Sequence, residues 1–222
     1  MKKIKRSRPS KKRPAIRTSK SRKPRSHKTL TAQRKRKIKP SKRRVARAPR
    51  PPQQVFLVID MLNDFVQPGA PLEVSGARLI IPRLAERIVA ARARQIPVVF
   101  VCDQHQSDDV EFRVWPPHAV AGTRGSQVID ALTPQLRDQM VTKTTYSGFF
   151  KTRLDALLEK IGAEHLIITG VCTNICVLYT AVDALMRGYT IDVPEDCVAA
   201  LTPDDHRFGM RQLREVLKPV QS

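Results

Sequence analysis

The first fifty residues contain no Asp, no Glu and no Phe, Trp or Tyr. They hold 24 of the 41 Lys and Arg. All 20 acidic residues lie beyond them, so residues 51–222 carry 17 basic and 20 acidic side chains, a net charge of −3. The formal charge of +21 is therefore a property of the beginning of the chain. A segment so poor in apolar side chains cannot offset its ordering entropy, and a disordered basic tail is expected over residues 1–53. Pro9, Pro14, Pro24, Pro40 and Pro49 would interrupt any helix there. Unbalanced positive charge attracts polyanions and favours weak, non-specific nucleic-acid binding. The missing aromatics exclude base stacking. Arg34-Lys35-Arg36-Lys37 also fits a nuclear-import cluster, a pattern common by chance. A solvated extension without a partner stays open. An organelle transit peptide would need an amphipathic helix, against which the Lys content and the prolines argue.

Other absences narrow the class. No run of about 18 apolar residues occurs, so no membrane span is expected. The charged start is followed by no apolar h-region, which argues against a secretory signal. Four cysteines, Cys102, Cys172, Cys176 and Cys197, are too few for a disulfide framework at this length. A reducing compartment follows, and a cytoplasmic location is expected. Residues 54–222 are enough for one domain with a real core.

What is present there is an alternation of apolar runs and helical spacings. Val55 to Ile59 and Pro97 to Cys102 read as buried parallel strands, ending at Asp60 and Asp103. Met140-Val141-Thr142 is a weaker strand before Lys143. Leu166 to Thr169 and Thr190 to Val193 complete five, and a sixth at the chain's end could only be very short. Helices are expected from Pro82 to Arg94, over 128–132, from Phe150 to Ile161, from Val177 to about Arg187, and from Thr202-Pro203 onward with Phe208, Leu213 and Leu217 inward. Residues 61–76 and 103–127 read as loops, the second long enough to suggest a function. The fold expected is α/β: a three-layer α/β/α sandwich around a mostly parallel, Rossmann-like sheet of five or six strands.

In such sheets ligands bind at the carboxyl edge, where Asp60, Lys143 and Cys176 should emerge. Cys176 should lie at the start of a helix, whose free N–H groups stabilise a thiolate, so a lowered pKa is expected. A carboxylate can take the thiol proton, and an ammonium between them orients both. Each residue has a plainer reading, as a loop cap, a surface lysine and a small core side chain, and spacing alone does not decide.

Three ordered motifs decide more. Asp60-Met61-Leu62-Asn63-Asp64-Phe65, Lys143 before Tyr146-Ser147-Gly148-Phe149, and Gly170-Val171-Cys172-Thr173-Asn174-Ile175-Cys176-Val177 resemble the isochorismatase-like cysteine hydrolases over about residues 54–217. The resemblance implies a catalytic triad of Asp60, Lys143 and Cys176. It implies a cis Val171–Cys172 peptide and an oxyanion hole from the N–H groups of Cys172 and Cys176. Asp103-Gln104-His105, then Trp115-Pro116-Pro117-His118 and Gly122-Thr123, are similar to the nicotinamidases of that family. By that likeness Asp103, His105 and His118 hold one divalent transition metal (Zn, Fe or Mn), with Glu111 a fourth ligand that only some relatives use. Phe65, Trp115 and Tyr146 would bind the aromatic ring of a small amide substrate. His165 and His206 stand outside this cluster and read as structural or surface residues, and Cys102 and Cys197 as packing. A homo-oligomer is expected from the family. Carbamoyl or ureide amidases are the main rival. Isochorismate hydrolases are less favoured because they generally lack the metal residues. A non-enzymatic, RNA-associated role through the tail also stays open.

Overall fold

The computed structural model describes residues 53–218. The tail expected over residues 1–53 lies outside that range, save for Gln53. A parallel sheet carries β1 (Gln54–Ile59), β2 (Val98–Asp103), β3 (Gln139–Lys143), β4 (His165–Val171), β5 (Thr190–Asp192) and β6 (Val198–Ala199). The order is β3-β2-β1-β4-β5, and every pair is parallel. β6 also pairs with β4, further along it than β5 does. The sixth strand is thus two residues long, as short as expected, but it precedes the last helix instead of following it.

Helices cover both faces. α1 (Asn63–Val66) and α2 (Ala77–Ala93) lie on one side. There Phe56, Val58, Val98 and Phe100 pack with Ile80, Leu84 and Ile88. On the other side are α3 (Leu154–Ile161), α4 (Leu178–Met186) and α5 (Pro203–Arg211), where Leu57, Val99, Val141 and Ile168 meet Leu154, Leu158, Ala181 and Leu213. Alternate residues of each strand therefore serve opposite cores. Both faces being covered, the strands read as continuous apolar runs. No helix among the described residues is long and apolar enough to cross a membrane.

Two helix boundaries and one helix face differ from expectation, each for a local reason. α2 begins at Ala77, with Pro82 inside it. Ala77 and Ile80 are buried and extend the stripe of Leu84, Ile88 and Ala91 back by one turn. α3 begins at Leu154, not Phe150: Phe150 is 52% exposed and Lys151 has φ 53°, which breaks helical continuity. Phe208 of α5 is turned outward, and Gly209, Met210 and Leu213 face the core instead. Residues 61–76 are not all loop, since α1 carries Phe65 inward. Over 128–132 the helix is a single turn, Asp130–Leu132.

Candidate active site

The strand order lines up the carboxyl ends of β3, β2, β1 and β4. Lys143 and Asp103 are the last residues of their strands and face each other in register. Asp60 follows β1, its N–H held by Val101 O at 2.9 Å. Its φ of 50° turns the side chain out of the ladder, a conformation Asp tolerates better than most residues. β4 runs past Gly170, at φ 105°, to a cis Val171–Cys172 bond. A Cβ on Gly170 would meet Ile59 O at 1.9 Å, so only glycine lets β1 and β4 approach here. Thr173–Val177 then forms a π-helical turn that carries Cys176 and leads into α4.

The charges form a compact chain. Lys143 Nζ lies 2.5 Å from Asp103 Oδ1, 2.7 Å from Asp60 Oδ2 and 3.5 Å from Cys176 Sγ. Asp60 Oδ1 accepts from Asp103 N at 2.8 Å. One oxygen of Asp60, one of Asp103 and Cys176 Sγ lie within 4.8 Å of one another. All four side chains are buried. Burial, and Asp103 beside it, push Asp60 up to about 7 against the pull of Lys143. For Asp103 burial also acts upward, but Lys143 and His105 outweigh it and hold the carboxyl below its ordinary value. Burial opposes the charge on Lys143, yet its two carboxylates keep it firmly protonated. The expected low-pKa thiolate is corrected: burial pushes the Cys176 thiol well above its ordinary value, and Lys143 only partly opposes this. The resting thiol is neutral and needs a base within reach. The N–H of Cys172 meets no backbone acceptor among the described residues.

A second wall comes from the loop after β2. An isolated bridge between His105 and Val120 closes it, bringing His118 beside His105 with ring centroids 4.8 Å apart. Nε2 of each ring faces Asp103 Oδ2 at 3.9 Å. Each Nδ1 meets an acceptor: Asp109 Oδ2 at 3.1 Å for His105, and Pro116 O at 2.8 Å for His118. Nδ1 is therefore the donor in each ring, and the neutral form of each turns its Nε2 lone pair toward the Asp103 carboxylate. Burial acts against charge on His105, but Asp103 and Asp109 outweigh it and push that ring up to about 9, so a cation binding there displaces a proton. His105 Nε2 is buried without a hydrogen-bond partner. Three acceptors converging in a buried spot fit a cation, and two imidazoles with a carboxylate suit a divalent transition metal. Glu111 lines the pocket but stands outside that close group of Asp103, His105 and His118.

Between the walls lies a small, narrow pocket. Asp60, Asp103 and Cys176 line its depth, and Phe65, Trp115 and Tyr146 its sides. Trp115 Nε1 donates to Tyr146 Oη at 3.1 Å, tying two of these rings together. Phe65 meets His118 edge-on at 5.5 Å. Leu72, Ile175 and Leu201 complete an apolar lining that the sequence did not single out. Two acidic residues were also missed. Asp109 orients His105. Asp64 accepts from Ala119 N at 2.8 Å and pins the loop next to His118. Cys102 and Cys197 are buried, as expected of packing residues.

Residues 54–222 match the profile of the isochorismatase domain. The chain belongs to the isochorismatase family. Nicotinamidase 3 of Arabidopsis thaliana is 34% identical over 164 residues, covering 71% of this chain and 79% of that protein. Among solved structures, N-carbamoylsarcosine amidase of Thermoplasma acidophilum is 37% identical with a TM-score of 0.66, covering 72% of this chain and 91% of that one. A pyrazinamidase of Pyrococcus horikoshii, in complex with zinc, is 29% identical with a TM-score of 0.70, covering 73% of this chain and 95% of that one.

Proposed function

We propose that the protein is a cysteine-dependent amidohydrolase that converts nicotinamide to nicotinate and ammonia. The observation that carries this reading is the Lys143 ammonium, ion-paired to Asp60 and Asp103 and 3.5 Å from Cys176 Sγ, with those three partners lining a pocket that Phe65, Trp115 and Tyr146 also line. A flat ring slotted between Phe65 and Trp115 would present its exocyclic amide to Cys176. Likeness to a nicotinamidase and a pyrazinamidase supports the choice of a heteroaromatic amide.

In this mechanism Asp60 takes the Cys176 proton as sulfur attacks the amide carbonyl. The N–H groups of Cys172 and Cys176 stabilise the oxyanion. Asp60 returns the proton to the departing nitrogen, ammonia leaves, and the acyl group stays on Cys176 as a thioester. Asp60 then takes a proton from water, whose oxygen attacks the thioester, and the acid leaves as the thiol is restored. Lys143 holds Asp60 in place and remains charged throughout. Asp103, His105 and His118 would hold the divalent metal, which supplies Lewis acidity toward a ring nitrogen of the substrate.

A carbamoyl amide is the second reading, favoured by the likeness to N-carbamoylsarcosine amidase. An ammonia-release screen over nicotinamide, pyrazinamide and N-carbamoyl amino acids separates the two. Nicotinamide and pyrazinamide should have the higher kcat/KM, and Cys176→Ala should reduce turnover to background while metal content stays unchanged. Preference for a carbamoyl substrate would overturn the nicotinamide reading. Turnover persisting in Cys176→Ala would overturn the thioester.

A further inference from the structure

Thr173 stands between Cys172 and the rest of the nucleophile turn, and it is fully buried. Its hydroxyl lies 3.0 Å from Nδ1 of His206, a residue of α5 that the sequence left as structural or surface. On the other side of that imidazole, Nε2 faces Glu195 Oε1 at 3.7 Å, and Glu195 Oε2 receives Arg214 at 2.6 Å. At 3.7 Å that carboxylate is beyond hydrogen-bond reach, but its charge favours the neutral tautomer with the proton on Nε2, which leaves Nδ1 to accept from the Thr173 hydroxyl. One turn further along α5, Gly209 lies against the same segment. A Cβ there would come within 2.9 Å of the Thr173 carbonyl and of Asn174 N. The start of α5 is itself fixed, by Pro203 in its first turn and by Thr202 Oγ1 accepting from Asp205 N.

We infer that His206 is a positioning residue: through Thr173 it fixes the orientation of the Cys172–Thr173 segment, and with it the Cys172 N–H. This rests on the thioester chemistry proposed above, in which that N–H stabilises the oxyanion. His206 does not line the pocket. Its side chain is the only hydrogen-bond partner of the Thr173 hydroxyl among the described residues. Without it the buried hydroxyl loses its partner and must find another or stay unpaired, which is costly in a buried site. Donors aimed at an oxyanion act only where charge develops, so a small tilt lowers kcat while leaving KM largely alone.

The test uses the full chain. His206→Ala should lower kcat about tenfold with KM unchanged, a partial loss compared with deleting an oxyanion donor. His206→Asn, whose side-chain oxygen can accept from Thr173, should recover most of it. Thr173→Val should match His206→Ala, and the double variant should be no slower than either single one. Losses that multiply, or no recovery with Asn at the same thermal midpoint as Ala, would overturn the inference. Amide hydrogen exchange supplies a reading free of any substrate. In His206→Ala, residues 172–177 should exchange faster while β1 and β2 do not change. Unchanged exchange in the turn would also overturn it. Absence of wild-type activity on every amide would instead count against the amidase reading, with the exchange result still deciding the role of His206.

Discussion

One wall of the pocket is made of strand ends and the other of a loop, and the two are held by different physics. Asp60, Asp103 and Lys143 are fixed by the register of three neighbouring parallel strands, and Cys176 by the turn after a fourth. To move any of them the sheet must shift. His105, Glu111, Trp115 and His118 sit in a long connection fastened by two isolated bridges, His105–Val120 and Leu62–Val128, by a few backbone hydrogen bonds to residues 61–64, and by side-chain hydrogen bonds. Asp103 belongs to both, with Oδ1 on Lys143 and Oδ2 toward the two imidazoles. The strand wall should therefore fail together with the fold, and the loop wall should fail alone.

The largest expected effect lies in the strand wall. Lys143→Met leaves the buried Asp60 and Asp103 facing each other without a cation. Losing one member of a buried ion network costs about 3 kcal/mol or more. A urea midpoint well below wild type should accompany a loss of turnover of about 10³-fold. Normal stability with lost activity would show that the strand wall can fail alone, and the contrast would break.

Next comes Asp64→Ala. It removes the acceptor for Ala119 N, next to His118. The same carboxylate fills the space a Cβ on Gly125 would occupy, so its removal also leaves a gap against the loop. A hydrogen bond to a charged group contributes about 1.5–3 kcal/mol, and stability should fall by about the lower figure. Metal should pass to a chelator faster. Alkylation of Cys176 by iodoacetamide should keep its wild-type rate, because nothing in the strand wall has moved. A changed alkylation rate would mean that the two walls are coupled.

The same division explains what the sequence disclosed. Val55 to Ile59 and Pro97 to Cys102 announce buried strands, and the residue after a buried strand is at the sheet edge whatever the loops do. Asp60 and Asp103 were legible for that reason, Lys143 from a weaker strand, and Gly170 to Cys176 through its resemblance to a family motif. Asp64 was not legible, because a carboxylate that accepts from a backbone 55 residues away has no local signature. Asp109 has near partners, His105 and Glu111, but an aspartate in a polar loop does not stand out from its neighbours. The pKa of Cys176 was misread because a helix start argues for a thiolate, while the depth of burial, which outweighs it here, depends on packing from both cores. His206 was set aside since its partner Thr173 lies 33 residues earlier.

Asp109→Asn should have the smallest effect, and it probes the loop wall where the fastening is finest. Asp109 uses both oxygens: Oδ2 meets His105 Nδ1 at 3.1 Å, and Oδ1 accepts from Glu111 N at 2.9 Å, capping the short turn Val110–Arg113. Asparagine keeps one acceptor and replaces the other with a donor, so one of the two bonds must go. If the side-chain oxygen stays on the ring, His105 keeps its tautomer and Glu111 loosens. If it stays on Glu111 N, the imidazole is free to rotate away from Asp103. Partners that orient metal-bound histidines typically change affinity by about 10–100-fold, and the charge-neutral replacement should fall near the tenfold end. Competition with a chromogenic chelator measures it directly, and stability should stay within about 0.5 kcal/mol. Unchanged affinity would mean that Phe112, whose ring packs 5.4 Å from that of His105 and 5.6 Å from that of His118, orients both imidazoles without help. The loop wall would then owe its geometry to packing, as the strand wall does.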